Sequence, residues 1–401
     1  MTETATTSPF PTAVDQILEV EKTHQIPLYA KRDIALVRGE GAYLYDSDGN
    51  RYLDAMSNYG VAVLGHAHPR FAAALSEQLL TLTTCHQSFG NDVRAAFLEE
   101  LDTVAPEGVK YSFVSNSGTE AVEAALKFAR AATGRSTLVA LKRGYHGRTF
   151  GALSATADKK YREAFEPLPI PATHVSFNDA EALAAAVDDT TAAIVVEPIQ
   201  GEGGIHPADV DFLKAARQIA TETGAVLIAD EIQSGFRTGD PFVSIAQGVT
   251  PDIIVTAKAL ANGFPIGLTL TTETISASLP GGAHGSTFGG NPLAMRAGYE
   301  TLRILREDGL YERAKTTGAA LIAGIEALNS PKIRAVRGSG LMIGIEFKGK
   351  AGPILKGLQE RGVLALPAGT LVIRLLPPMI WEQAQVDEFL TTLAAVLGAD
   401  A

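Results

Sequence analysis

One cysteine, Cys85, and one tryptophan, Trp381, are all that the chain has of either residue. A lone cysteine excludes an internal disulfide framework and suits a reducing compartment, so a cytoplasmic setting is expected. Apolar runs are short and broken by charge, glycine or proline, and none approaches the ~20 residues that cross a bilayer, so no membrane partner is expected. The opening "MTETATTSPFP" has neither a basic region nor an apolar block and reads as a short tail, not a secretory signal. Basic residues are in deficit, 34 Lys and Arg against 45 Asp and Glu for a net charge of −11, and no basic cluster stands out; nucleic acid is therefore a disfavoured partner. The eight histidines and the cysteine show no HExxH or CxxC spacing, so no metal site is expected. Two nucleotide signatures are missing as well, G-x-x-x-x-G-K-[ST] and a helix-opening G-x-G-x-x-G.

What is present is ordinary for a large globular enzyme: 401 residues, 46% hydrophobic and 20% charged, enough for two domains around a substantial core. "TAVDQILEVEKTH" has helical spacing. "ALVRGEGAYLYDSDGNRYLDA" reads as short strands turned at Asp48-Gly49-Asn50. From about residue 65 the pattern becomes apolar runs ("KYSFVS", "STLVAL", "AAIVVEP", "AVLIAD", "DIIVTA", then "IGLTLTT") separated by amphipathic segments such as "TEAVEAALKFARAATG". Continuous Val/Ile/Leu/Ala strands between helices predict an α/β fold with a mostly parallel sheet covered on both faces. A long helix begins near Asn291. Beyond it "KIRAVRGSGLMIGIEFKG" and "VLALPAGTLVIRLLPP" predict a smaller α+β domain with antiparallel strands. The expected division is an N-terminal segment, 1–60, packing with a small domain, 311–401, and a large domain, 61–310.

Ligands of parallel sheets bind beyond the carboxyl ends of the strands. Here those ends carry "SNSGTEA", "KRGYHGRT", "EPIQGEGG", "DEIQSG" and "AKALANG", all on one rim. Gly118 and Thr119 open a helix, where free N–H groups and the helix dipole favour a phosphate; the plainer alternative is that Ser117 or Thr119 only caps that helix. Asp230 directly follows a buried run, so its carboxylate needs a partner, either a protonated heterocyclic nitrogen or simply a neighbouring loop. Lys258 stands at the mouth of "DIIVTA". It either snorkels to water or is desolvated, which lowers its pKa and frees the amine as a nucleophile or Schiff-base former. A phosphate cradle, a buried carboxylate and a strand-end lysine on one rim are the three groups that pyridoxal phosphate requires, and the combination is far more specific than any member.

With those residues in view, the chain resembles the class III aminotransferases of fold type I from about residue 12 onward. The motifs that carry the likeness are "NSGTEAVEAALKFAR", "YHGRT", "EPIQGEGG", "DEIQSG", "AKAL", "HGSTFGGNPLA" and "VIRLLPP". Within the class it looks most like the acetylornithine aminotransferases, and closest to the branch that acts on lysine or ornithine bound to an amino-group carrier protein, through "YAKRDIALVRGEGAYLYD" and "NYGVAVLGH".

The resemblance implies a set of roles. Lys258 would hold pyridoxal 5'-phosphate covalently and shuttle the proton, and Asp230 would pair with the pyridinium nitrogen. Gln233 would bond the phenolic oxygen, and Tyr145 and Ile232 would sandwich the ring. Ser117, Gly118 and Thr119 would bind the phosphate. Thr287 would reach the neighbouring subunit's phosphate across a homodimer, with Ser286 beside it facing substrate. Tyr29, Arg148 and Arg374 would meet substrate carboxylates. Glu202 would gate Arg374, its flanking glycines making the motion cheap. The implied activity moves a terminal amino group between an α-blocked lysine or ornithine and 2-oxoglutarate or glutamate, in lysine or arginine biosynthesis, with a small acidic amino-group carrier protein as a partner of that branch. An ornithine or GABA aminotransferase, or an aminomutase on the same scaffold, are the alternatives; Arg374 with Glu202 favours the two-substrate transferase. His66, His68 and His146 read as structural. "SGFRTG" is one residue shorter than the family's usual Gly-x-Gly-Arg-Thr-Gly, so the position of Arg237 is not carried over.

Overall fold

The computed structural model describes residues 10–398. Its centre is a seven-stranded sheet in the order Tyr111–Ser115, Gly267–Thr271, Ile253–Thr256, Val226–Asp230, Thr191–Val196, Thr137–Leu141, Ala172–Val175. Gly267–Thr271 runs antiparallel to both neighbours, and the remaining pairs are parallel. The central strands are buried along their whole length, as continuous apolar runs require when helices cover both faces. The edge strand Ala172–Val175 has no counterpart in the sequence reading. Its "ATHV" places two polar residues between two apolar ones, and only Val175 is well buried in this edge strand.

The helix Gly118–Thr133 lies on one face. It buries Ala121, Val122, Ala124, Ala125, Leu126, Phe128 and Ala129 against the sheet and ends at Gly134, whose φ of 70° is the left-handed conformation glycine adopts at little cost. Ser117 caps its start: Ser117 Oγ accepts from Glu120 N (3.3 Å) and donates to Glu120 Oε2 (2.9 Å). The helices Ala180–Ala186 and Val210–Thr223 cover the other face.

A second sheet, entirely antiparallel, joins Ile333–Ser339, Met342–Phe347, Val372–Leu375 and Leu366–Ala368. Helices Leu310–Ala327 and Gln383–Leu397 share a core with it that includes the fully buried Trp381. The N-terminal strands Leu36–Glu40, Tyr43–Asp46 and Arg51–Asp54 form the expected meander, turned at Gly49 (φ 87°). Val363–Leu364 adds to it in parallel, so residues near 53 bond to residues near 363.

Directly after the meander the backbone enters a left-handed turn at Ser57, Asn58, Tyr59 and Gly60, with φ of 38°, 51°, 61° and 85°. Left-handed helical geometry costs non-glycine residues about 1–2 kcal/mol each, so it persists only where the surroundings fix it. Asp54 Oδ1 accepts from the N–H groups of Met56 (2.9 Å) and Ser57 (2.8 Å), and Ser57 Oγ donates to Leu376 O (2.6 Å). The strain turns Asn58 and Tyr59 toward the strand ends described next.

Candidate active site

Beyond the carboxyl ends of the strands lies a cavity of about 420 Å³. Its lining includes Ser117, Gly118, Thr119, Tyr145, Arg148, Glu202, Asp230, Ile232, Gln233 and Lys258, so the five polar rim segments do converge. Arg374 sits behind the wall. Its Nη1 donates to Gln233 Oε1 (2.9 Å) and lies 2.8 Å from Glu202 Oε1. Ser286 stands one step away, accepting from Asn116 Nδ2 (3.0 Å), and Asn116 lines the cavity. Two expected residues are not brought in: Tyr29 is 77% exposed, and Thr287 lies on the surface beside the exposed Phe288.

Lys258 follows the strand Ile253–Thr256 with a φ of 40°, a strained backbone for a residue other than glycine. Desolvation, reinforced by the nearby charge of Arg374, brings its amine down from 10.5 to about 8; Glu202, Asp230 and Glu197 act the other way. A lysine so placed spends far more time as free amine near neutral pH than a surface lysine does. Asp230, 4% exposed, closes the strand Val226–Asp230. Its Oδ1 accepts from Ile232 N (3.1 Å), and its Oδ2 is 2.7 Å from His146 Nδ1.

His146 therefore belongs to the site, which corrects its reading as a structural residue. It is fully buried, and its Nε2 has no hydrogen-bond partner among the described residues. Burial alone would lower its pKa, but the hydrogen bond to Asp230 and the charges of Asp230 and Glu197 raise it. Glu197, also buried, is pushed up to about 7 chiefly by desolvation; it accepts from Gly201 N (3.2 Å) and Tyr145 N (3.1 Å). The sequence carried a signal for Glu197, since it follows an all-apolar strand just as Asp230 does. Nothing local marks His146, whose partner lies 84 positions away. Arg237, at the shortened "SGFRTG" turn, is fully buried as well. Its Nη1 donates to Leu341 O (3.1 Å) and its Nη2 to Ser57 Oγ (3.3 Å), and burial beside Arg374 lowers its pKa to about 9.

Close approach explains several glycines. A Cβ at Gly118 would meet Ile232 at 2.9 Å, and one at Gly147 (φ 139°) would meet Thr119 Oγ1 at 2.3 Å. The loop bearing Glu202 is equally tight: a Cβ at Gly201 would strike Gln233 Oε1 at 2.3 Å, and one at Gly203 would strike Arg143 at 2.9 Å. A side chain at either position would collide with its neighbours, so close packing is a second reason for these glycines.

An amine of lowered pKa, a buried carboxylate, an amide and a helix N-terminus that Ser117 caps at the Glu120 amide form one set of polar groups, in a cavity bounded by an aromatic ring and an isoleucine. The set has a complement for each polar group of pyridoxal phosphate. Fold and site together define a fold type I aminotransferase. The family model for aminotransferase class-III matches residues 28–397, and the chain belongs to that family. Its cofactor is pyridoxal 5'-phosphate, and it is a transaminase. The chain is 46% identical to the [LysW]-aminoadipate semialdehyde transaminase of Deinococcus radiodurans, over 95% of this chain and 90% of that one. It is 39% identical to the acetylornithine aminotransferase of Methanosarcina acetivorans, over 98% and 99%. Among solved structures, the ornithine aminotransferase of Toxoplasma gondii superposes with a TM-score of 0.92 at 30% identity, covering 97% of this chain and 95% of that one.

The depressed pKa has a direct check. In cofactor-free protein, the rate at which an amine-selective acylating reagent modifies Lys258 should rise with pH to half its plateau near 8. A midpoint near the ordinary value of 10.5 would show that the amine is not desolvated.

Proposed function

We propose that this chain moves a terminal amino group between an α-blocked basic amino acid, or its semialdehyde, and the glutamate/2-oxoglutarate pair. The block is an acetyl group or the carrier protein to which the relatives' substrates are attached. The observation that carries this reading is the Arg374–Glu202 pair (2.8 Å) beside Lys258. One pocket must accept glutamate, which presents a carboxylate next to the reacting carbon, and an ω-amine, which presents a methylene there. A bare arginine suits only the first. An arginine neutralised by a removable carboxylate suits both.

When bound, the cofactor supplies an electron sink through which the amino group passes between the two substrates. The chain's own groups do the rest. Lys258 Nζ, available as free amine, would hold the cofactor and, once released, would take a proton from and return one to the carbon that bears the amino group. Asp230, oriented by His146 and by Ile232 N, keeps a negative charge for the ring nitrogen. Gln233 has its carbonyl committed to Arg374, so its amide N–H₂ is the end left for the phenolic oxygen. Ser117, Gly118 and Thr119 offer hydroxyls and the helix N-terminus to phosphate. Tyr145 and Ile232 bound the ring. Arg148, 4.2 Å from the Tyr161 ring centroid and at the cavity wall, takes the donor's distal carboxylate, with Tyr29 and Ser286 further out on the substrate path.

The exposed Thr287, Phe288 and Phe89 support a homodimer in which Thr287 completes the partner's phosphate site. Mixing Lys258→Ala with Thr287→Ala subunits should then recover activity well above either parent, since one of the two sites escapes both lesions. No recovery would remove the shared site. The domain division near residues 60 and 310 remains our proposal too.

Single-turnover rates of the two half-reactions test the substrate reading. Glu202→Ala should impair the half-reaction with N-acetylornithine or carrier-linked lysine much more than that with glutamate. Arg374→Ala should do the reverse, losing on the order of 2–5 kcal/mol of glutamate recognition, as expected when one member of a buried charge pair is removed. Equal losses in both halves for Glu202→Ala would sink the gate. Faster turnover of free ornithine or GABA than of any α-blocked donor would replace the substrate class.

A further inference from the structure

Glu202 faces two cavities. Besides the one that holds Lys258, it lines a neighbouring cavity of about 580 Å³ together with Lys142, Arg143, Lys160 and Arg162. Both strands of its hairpin are fixed. Ile199–Gln200 pairs with His206–Pro207, and Arg337 from the antiparallel sheet donates through Nε to Ile205 O (2.7 Å) and through Nη2 to Gly204 O (2.7 Å). Arg337 is itself held by Glu346 at 2.6 Å. With the hairpin paired and the carbonyls of Gly204 and Ile205 held by Arg337, rotation of the Glu202 side chain is the simplest way for the gate to open. A carboxylate rotated off a buried arginine needs somewhere to go.

We propose that Arg143 receives the Glu202 carboxylate when a substrate carboxylate displaces it from Arg374. The inference rests on the two-substrate reading above. Of the other cations in the second cavity, Lys160 already pairs with Asp158 and Arg162 with Glu166; Lys142, whose Nζ reaches toward Ser176 Oγ, and the exposed Lys159 have no carboxylate partner among the described residues, but it is Arg143 that packs against Gly203, next to Glu202. Arg143 has no carboxylate partner among the described residues. Its one side-chain hydrogen bond there, Nη1 to His206 Nε2 at 3.3 Å, is to a ring kept neutral because burial, Arg337 and Arg143 itself push its pKa down to about 4. Its backbone is held at a φ of 66° in the turn closed by Gly144 N to Leu141 O (3.0 Å), a position where glycine would be unstrained. That turn sets the Arg143 side chain directly against Gly203, the residue after Glu202. Arg143 is thus a positioning residue for the second substrate: it acts on glutamate through Glu202 and stabilises the open gate.

The test is a double-mutant cycle on the isolated half-reactions of the holoenzyme. Exposed charge pairs contribute up to ~1 kcal/mol, so Arg143→Gln should lower kcat/KM of the glutamate half-reaction roughly 2- to 5-fold while the donor half-reaction keeps its rate. Arg143→Lys should restore most of the loss. Arg143→Gly, which relieves the backbone strain, should show the same loss as Arg143→Gln. In the Glu202→Ala background the effect of Arg143→Gln should vanish, because there is no carboxylate left to receive. An undiminished glutamate half-reaction in Arg143→Gln, or the same loss with Glu202 absent, would overturn the proposal. A wild-type enzyme with no glutamate half-reaction would overturn the functional reading itself, and the proposal with it.

Discussion

A guanidinium buried to 0% exposure is costly unless hydrogen-bond acceptors and an opposite charge offset it where it stands. Arg374 meets that requirement with one carboxylate, Glu202, and one amide oxygen, Gln233 Oε1, and most of the site is arranged around the consequence. Gln233 is oriented by it. Lys258 feels its charge, which adds to desolvation in holding the amine below its ordinary range. Arg237, equally buried and with no ion pair among the described residues, has its pKa lowered to about 9 by desolvation and by the charge of Arg374, with Asp54 acting the other way. Taking Glu202 away from Arg374 is costly unless another anion arrives, and on the proposed two-substrate reading that anion is a substrate carboxylate.

The scaffold that holds these charges is stiff where it touches them. Arg374 lies in the strand Val372–Leu375, Asp230 ends a central parallel strand, and Lys258 follows another through a strained residue. The left-handed turn at Ser57–Gly60 adds several kcal/mol of local strain by the usual cost per residue. In return it sets Tyr59 5.5 Å from the Arg374 guanidinium and Asn58 at the cavity wall. Asp54, bonding the amides of Met56 and Ser57, is what makes that turn tenable.

The parts of this arrangement that the sequence announces share one feature: a polar residue immediately after a wholly apolar strand. Asp230 and Lys258 are legible for that reason, and the central strands are legible because burial on both faces leaves no alternation to confuse. Glu197 gives the same signal in "IVVEP" and was read only as part of a rim segment. His146 and Arg237 are invisible to local pattern because their partners come from distant segments. The glycines around Glu202 are only half legible, since composition suggests a flexible loop and is silent on the tertiary packing that also demands small residues. The edge strand Ala172–Val175 escaped because one buried position leaves too weak a period to read. Residues whose proposed role depends on a second subunit, Thr287 above all, have no meaning within one chain.

The account turns on Arg374 exchanging one carboxylate for another, and a crystal structure of the holoenzyme with glutarate, an unreactive dicarboxylate, observes that exchange directly. The account predicts a glutarate carboxylate on the Arg374 guanidinium and Glu202 rotated out of the 2.8 Å contact, with the backbone of residues 201–205 unmoved. Glutarate bound in the pocket while Glu202 still pairs with Arg374 would contradict it.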